Sequence, residues 1–217
     1  MKLLTYFRSS AAYRVRIALN LKGIKHELVP VNLLKGEHQS ADYIALQPQG
    51  LVPCMQLDNG EVLTQSGAIL AYLEGQYSEY PLMPNDLMAA VKVRSLVDII
   101  ACDIHPVNNL RILKYLSNEL TIEEKQKQQW YRHWIEQGFR AIESQLAPDG
   151  GPANQAQYAL GENITMVDVY LIPQVYNALR FEVDMGPFPK IMRVYQACNE
   201  LQAFIQAAPE NQPDSTL

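Results

Sequence analysis

The chain has 217 residues, 48% of them apolar, with a formal net charge of −5 and a pI near 5.4. That length allows one large domain or two small ones, and the acidic balance argues against a nucleic-acid partner. Cys54, Cys102 and Cys198 form no CxxC pair, and His26, His38, His105 and His133 are dispersed, so neither a disulfide framework nor a metal site is expected and the cytoplasm is the default compartment.

The apolar run at the start is too short for a signal peptide, and no window approaches the ~20 apolar residues of a spanning helix. Residues 1–36 hold seven basic residues and one acidic residue, Glu27. A small anionic ligand near this segment fits that balance better than a long polyanion.

Leu3 to Phe7 reads as a strand. Ser9 and Ser10 are N-cap types, and the helix after them places Val15, Ala18 and Leu19 on one face. Strand, serine pair and helix aim hydroxyls and backbone N–H groups at one point, with Arg8, Arg14 and Arg16 nearby. This favours an anion such as a thiolate; the alternative is a plain cap on a surface helix. Gly23 supplies the C-cap. His26 to Val31 reads as a second strand, an edge because of Pro30, and residues 39–46 as a short helical or irregular piece. Val52–Leu57 and Glu61–Thr64, joined by Asp58-Asn59-Gly60, read as a hairpin. Ser66 is expected to cap a helix over 67–77.

Residues 1–80 therefore read β-α-β-α-β-β-α, a small mixed sheet with helices packed on it. Residues 78–87 read as a linker, with Pro81 and Pro84 as breakers. The remainder, 88–217, reads as an all-helical domain. Residues 88–119 read as one long helical segment with a kink or break expected at Pro106, and residues 121–146 as a helix with Glu123, Glu124, Lys125 and Lys127 on a solvated face. A Pro/Gly-rich loop spans 147–163. Thr165 with Asp168 makes a capping-box variant, with Ile164 able to staple against Val169, so Asp168 reads as a folding signal rather than a catalytic acid. Pro187 and Pro189 bound the last helices, and Pro209 to Leu217 reads as a polar tail.

Two further places carry chemistry. Pro53 after Val52 is a candidate cis peptide, with a trans edge proline as the alternative. Gln65-Ser66 opens a helix, a second carboxylate-binding point. With Ser9, these suggest an extended site for a zwitterionic peptide.

These stations, the linker and the helical remainder resemble the cytosolic glutathione transferases, whose N-terminal domain is thioredoxin-like. Arg8-Ser9-Ser10 through Arg14-Val15-Arg16-Ile17-Ala18-Leu19 is similar to the zeta-class signature R-S-S-C-S-x-R-V-R-I-A-L. Cys102-Asp103-Ile104-His105-Pro106-Val107-Asn108-Asn109-Leu110-Arg111 and Pro173-Gln174-Val175 through Arg180-Phe181-Glu182-Val183-Asp184 resemble two more runs of the bacterial maleylacetoacetate and maleylpyruvate isomerases. The family's cysteine and second serine are Ala11 and Ala12 here, which bears on substrate range more than on thiol activation.

The resemblance implies glutathione as cofactor, with Ser9 as the group that activates its thiol. It implies glutathione contacts from Ser9, Ser10, Ala11, His38, Gln49, Val52, Gln65, Ser66, His105, Asn109 and Arg111. Arg8, Arg111 and Arg180 are then the candidates for substrate carboxylates. It also implies a homodimer. The plain alternatives are that His105 caps a kinked helix, that Arg111 sits in a surface ion pair, that Arg180 pairs Glu182 or Asp184, and that His38 and Gln49 are ordinary loop residues. Tyr6, Phe7 and Tyr13 read as packing. The implied activity is glutathione-dependent isomerisation of maleylacetoacetate. Maleylpyruvate isomerisation, general glutathione transfer to small electrophiles, and a non-catalytic binding protein of the same fold are the competing readings.

Overall fold

A computed structural model describes residues 1–147 and 156–217; part of the Pro/Gly-rich loop at 147–163 lies outside the described residues. The chain divides into two compact units, Met1–Pro81 with Asn199–Leu217, and Leu82–Cys198.

In the first unit the order is β1 (Lys2–Thr5), α1 (Ser10–Leu21), β2 (Glu27–Pro30), α2 (Ala41–Leu46), β3 (Cys54–Gln56), β4 (Val62–Thr64) and α3 (Ser66–Gln76). This is the order expected from the sequence. The strands lie in the order β2-β1-β3-β4. β1 and β2 are parallel, with α1 as the crossover, and the other pairings are antiparallel. Pro30 sits on an edge strand, where a missing N–H is tolerated. β1 stops at Thr5 rather than running to Phe7, because Tyr6 turns out of the ladder and its carbonyl accepts the Ser9 N–H at 2.9 Å.

Leu4, Val31, Tyr43 and Cys54 form a buried cluster with Val29, Val52 and Val62 packed against it. Strand alternation puts Leu3 and Met55, both fully buried, on the opposite face. Helix α1 packs on α3 and on α9 (Gln202–Ala207).

One expected cap is corrected. Gln65, not Ser66, is the N-cap residue of α3, and Ser66 is its first helical residue. The chain passes from β4 to α3 within this single residue, and Gln65 takes φ 67° to do so, without capping through its side chain. A non-glycine residue in that region carries roughly 1–3 kcal/mol of strain.

The second unit contains α4 (Leu87–Asp98), a π-helical continuation (Ile99–Ile104), α5 (Leu110–Asn118), α6 (Glu124–Gln145), α7 (Met166–Arg180) and α8 (Pro189–Asn199). The break expected at Pro106 is present. The His105 N–H bonds back to the Ile100 carbonyl at 2.9 Å, the wide π-type turn, and Pro106 has no N–H to continue the ladder. A Cβ on Gly138 of α6 would collide with the buried Ile104 side chain, so glycine permits the close approach of α6 to the π-helical segment. The Thr165–Asp168 capping box forms as expected. Asp168 is fully buried and accepts from the N–H groups of Ala159 at 2.9 Å and Thr165 at 2.7 Å, and from the Thr165 hydroxyl at 3.0 Å.

The last residues are more than a polar tail. Asn20 of α1 donates to the Ala203 carbonyl at 3.0 Å, Pro209 and Gln212 are buried, and Asp214 accepts the Phe7 N–H at 3.0 Å. These bonds join Asn199–Leu217 to the first unit.

Candidate active site

The strand register assembles the first unit's stations. Leu4 of β1 pairs with Cys54 of β3, and Cys54 pairs with Thr64 of β4. The exits of β1 and β4 and the entrance to β3 therefore lie at one end of the sheet. Ser9 follows the first, Gln65 and Ser66 follow the second, and Val52 and Pro53 precede the third. Thr5 also pairs with Pro30, so the loop carrying His38 leaves from the same end.

Ser9 is the N-cap of α1, and its Oγ accepts the Ala12 N–H at 3.2 Å. The hydroxyl proton is thus left to donate elsewhere, beside first-turn N–H groups that have no helical acceptor. Ser10 is buried and Ala11 half-buried in that first turn. The Val52-Pro53 bond is cis, and the β3 ladder begins only at Cys54. The Tyr43 hydroxyl donates to the Leu51 carbonyl at 2.6 Å, holding the corner from α2. The Gln65 amide donates to the Gln49 side-chain oxygen at 2.6 Å, and the Gln47 side chain accepts the Gln49 N–H at 2.6 Å. Gly50, at φ 61°, brings this loop against His38: an added Cβ would lie 3.0 Å from the His38 carbonyl.

Arg16 departs from its expected anion-attracting role. It is 1% exposed and donates to the carbonyls of Ala207 (3.0 Å), Tyr6 (3.4 Å) and Phe7 (3.1 Å) and to the Thr5 hydroxyl (3.0 Å). Burial lowers its pKa to about 10. Arg14 is likewise buried. Arg8 remains partly exposed, its guanidinium 5.0 Å from the Phe7 ring centroid.

In the second unit the 105–111 run and Arg180 meet at Tyr131. Asn108 donates to the Tyr131 carbonyl at 3.1 Å, and Trp130 donates to the Val107 carbonyl at 3.0 Å. The Tyr131 ring stacks on Phe181 with centroids 3.7 Å apart, and its hydroxyl lies near Arg180. Burial pushes that hydroxyl up to about 12, with Arg180 opposing. His105 ends the π-helical segment, and Asn109 caps α5 by accepting the Arg111 N–H at 3.1 Å. Arg111 is exposed.

Arg8, Arg111 and Arg180 have no carboxylate partner among the described residues. Glu182 instead lies 3.4 Å from Arg132, and Asp184 accepts the Gly186 N–H at 2.9 Å. Tyr43, Tyr131 and Asp214 escape the sequence reading. Tyr131 stands in an aromatic run with Trp130 and Trp134, but nothing local to it names its partners.

None of the cysteines is primed as a thiolate. Burial raises Cys54 and Cys198, and burial with Asp98 and Asp103 nearby raises Cys102. Among the described residues no cluster of His, Cys, Asp and Glu is arranged to hold a metal ion, and no helix is long and apolar enough to cross a membrane.

A mixed four-stranded sheet whose loops gather a capping serine, a cis-proline corner and a second helix N-terminus defines a glutathione transferase fold, and residues 8–76 match the family described as glutathione S-transferase, N-terminal domain. The chain is 47% identical to the maleylpyruvate isomerase of Ralstonia sp. over 99% of this chain and 100% of that protein. It is 44% identical to the maleylacetoacetate isomerase of Pseudomonas aeruginosa over 99% of each. A solved structure described as holo maleyl pyruvate isomerase, a bacterial zeta-class glutathione S-transferase, matches with a TM-score of 0.94 at 45% identity, covering 100% of both chains. The chain belongs to the zeta-class glutathione transferases, the family of maleylacetoacetate and maleylpyruvate isomerases.

Proposed function

We propose that this protein is a glutathione-dependent cis–trans isomerase converting maleylacetoacetate to fumarylacetoacetate in aromatic amino-acid breakdown, with maleylpyruvate as the alternative substrate. The observation that carries this reading is the register Leu4–Cys54–Thr64, which gathers Ser9, Val52 and Gln65-Ser66 at one sheet end. Glutathione supplies the sulfur nucleophile, which adds to the conjugated double bond and leaves once that bond has rotated. The Ser9 hydroxyl and the α1 N-terminus favour the thiolate over the thiol. The Val52 backbone takes the extended peptide as a strand would. Gln65 and Ser66, at the α3 N-terminus, hold the carboxylate of its γ-glutamyl end. His38, Gln49, His105 and Asn109 are further candidates for glutathione contacts. Arg8, Arg111 and Arg180 are the candidates for substrate carboxylates and for the negative charge that develops on the enolate oxygen.

The same reading carries a cytoplasmic homodimer. Leu87 and Met88, each 70% exposed at the start of α4, offer apolar surface that a second copy would cover. The deciding assay supplies glutathione with maleylacetone and, separately, with maleylpyruvate, and follows the fumaryl products. Isomerisation of either supports the proposal, and the ratio of kcat/KM selects the substrate. Conjugation of neutral electrophiles with no isomerisation would replace it by the general transferase reading.

A further inference from the structure

Only Tyr6, Phe7 and Arg8 separate β1 from Ser9. The backbone of this short connection is held by residues from both ends of the chain. The Tyr6 carbonyl accepts from Ser9 N–H at 2.9 Å and from Arg16 at 3.4 Å, and the Phe7 carbonyl accepts from Arg16 at 3.1 Å. The Phe7 N–H donates to Asp214 Oδ2 at 3.0 Å, across 207 residues of sequence. The tail that carries Asp214 is itself anchored. Gln212 Nε2 donates to the carbonyls of Gln206 and Ala208, both at 2.8 Å, and the Ser215 N–H donates to Gln212 at 3.0 Å. Asp214 Oδ1 is buried without a hydrogen-bond partner among the described residues. Its carboxylate is thus partly withdrawn from water, with the Phe7 N–H as its hydrogen-bond donor.

A carboxylate kept in this way has a reason to be there beyond solubility. Resting on the reading of Ser9 as the thiol-activating group, we propose that Asp214 is a positioning residue for Ser9: the C-terminal tail pins Phe7 and so fixes the turn that aims the Ser9 hydroxyl. Arg16 grips the carbonyl side of the connection and Asp214 the N–H side. Releasing one side lets the turn rotate about the other, and the single intervening residue, Arg8, passes that rotation to Ser9. The ends of glutathione are held at other stations, so affinity changes little while activation of the sulfur suffers.

The test compares Asp214→Ala, Asp214→Asn and Asn20→Ala with the wild-type chain. Asn20→Ala removes a different tie to the tail segment, the 3.0 Å bond to the Ala203 carbonyl near the far end of α1. Thiolate absorbance against pH gives the thiol pKa of bound glutathione, steady-state kinetics give kcat and KM, and thermal melts give Tm. Asp214→Ala is expected to raise the bound-thiol pKa by about half a unit or more and to lower kcat at neutral pH at least about threefold. The KM for glutathione should stay within about twofold. Asp214→Asn keeps an acceptor for the Phe7 N–H and is expected to recover most of both effects. Asn20→Ala should lower Tm and leave both unchanged. Wild-type protein that activates glutathione while Asp214→Ala behaves like Asn20→Ala overturns the positioning role alone. Wild-type protein that neither binds glutathione nor lowers its thiol pKa overturns the functional reading, and the role of Asp214 with it.

Discussion

The Gln65 side chain donates to the Gln49 side-chain oxygen at 2.6 Å, tying the N-terminus of α3 to the loop that leads into the Val52-Pro53 corner. The two residues lie in separate sequence features, yet they form one polar unit. The strained φ of Gln65 aims its amide at Gln49 rather than at its own helix. Gln65→Ala is therefore expected to weaken glutathione binding by roughly 0.5–1.5 kcal/mol, with a smaller change in kcat, because the peptide's end does not change between ground and transition states. Gln49→Ala should weaken it too, and the double variant should lose less than the sum. Calorimetric titration checks this; strict additivity would mean that the two side chains act separately. Ser66→Ala tests the neighbouring hydroxyl by the same titration.

Ser9→Ala should leave the fold intact and slow isomerisation strongly. The loss expected is that of one charge-assisted hydrogen bond, roughly 1.5–3 kcal/mol, together with a raised pKa for the bound thiol. Removing the cap also costs about 1 kcal/mol of stability. Thiolate absorbance and kcat measured well below Tm separate the two effects. An unchanged thiol pKa would assign activation to the α1 N-terminus alone.

Arg111→Leu distinguishes the isomerase reading from general transfer chemistry. Arg111 is exposed and has no ion pair among the described residues. If it holds a substrate carboxylate, kcat/KM for maleylacetone or maleylpyruvate should fall by roughly ten- to a hundredfold. A neutral chlorodinitrobenzene should be spared. Equal losses on both would place Arg111 on glutathione instead.

Tyr131→Phe removes the hydroxyl near Arg180 while keeping the ring that stacks on Phe181. Stability should fall by about 1 kcal/mol. The KM for the carboxylate substrate should rise more than the KM for glutathione, because Arg180 loses a polar neighbour and keeps its bond to Asn177 at 3.4 Å. Parallel changes in both KM values would argue against a role for Arg180 at the substrate.

Asp168 makes stability depend on pH. Burial raises its folded pKa from 3.8 to about 6, against three hydrogen bonds that favour the ionised form. Between about pH 4 and 6 the folded carboxyl keeps a proton that the unfolded chain has released, so this group's contribution to stability falls as pH rises through that window, by roughly 2–3 kcal/mol. Asp168→Asn should be less stable than wild type throughout, since one accepting oxygen becomes a donor. Its stability should also lack that decline. Denaturant melts from pH 4 to 7 check both points, and an equal slope in the two proteins would assign the pH dependence to other groups.

The features that were legible in the sequence are those whose physical cause is local. Ser9 caps because a hydroxyl before a helical run meets the N–H three residues on. Asp58-Asn59-Gly60 turns because Gly60 accepts φ 89°. Thr165 and Asp168 cap reciprocally within one turn, and Pro106 breaks a helix because it has no N–H. Pro30 marks an edge strand for the same reason. The family motifs were legible because each is contiguous. What only the tertiary structure decided depends on groups far apart in the chain. These are the register that gathers Ser9, Val52 and Gln65, the meeting of Asn108 and Arg180 at Tyr131, and the burial that turns Arg16 from an anion attractor into a clamp on backbone carbonyls. The bond from Phe7 to Asp214 is the extreme case, since a single polar residue in a polar-looking tail carries no mark of its partner. Backbone propensity and capping act within a turn or two of the chain, whereas the partner of a buried polar group is chosen by whichever segment the packed core brings beside it.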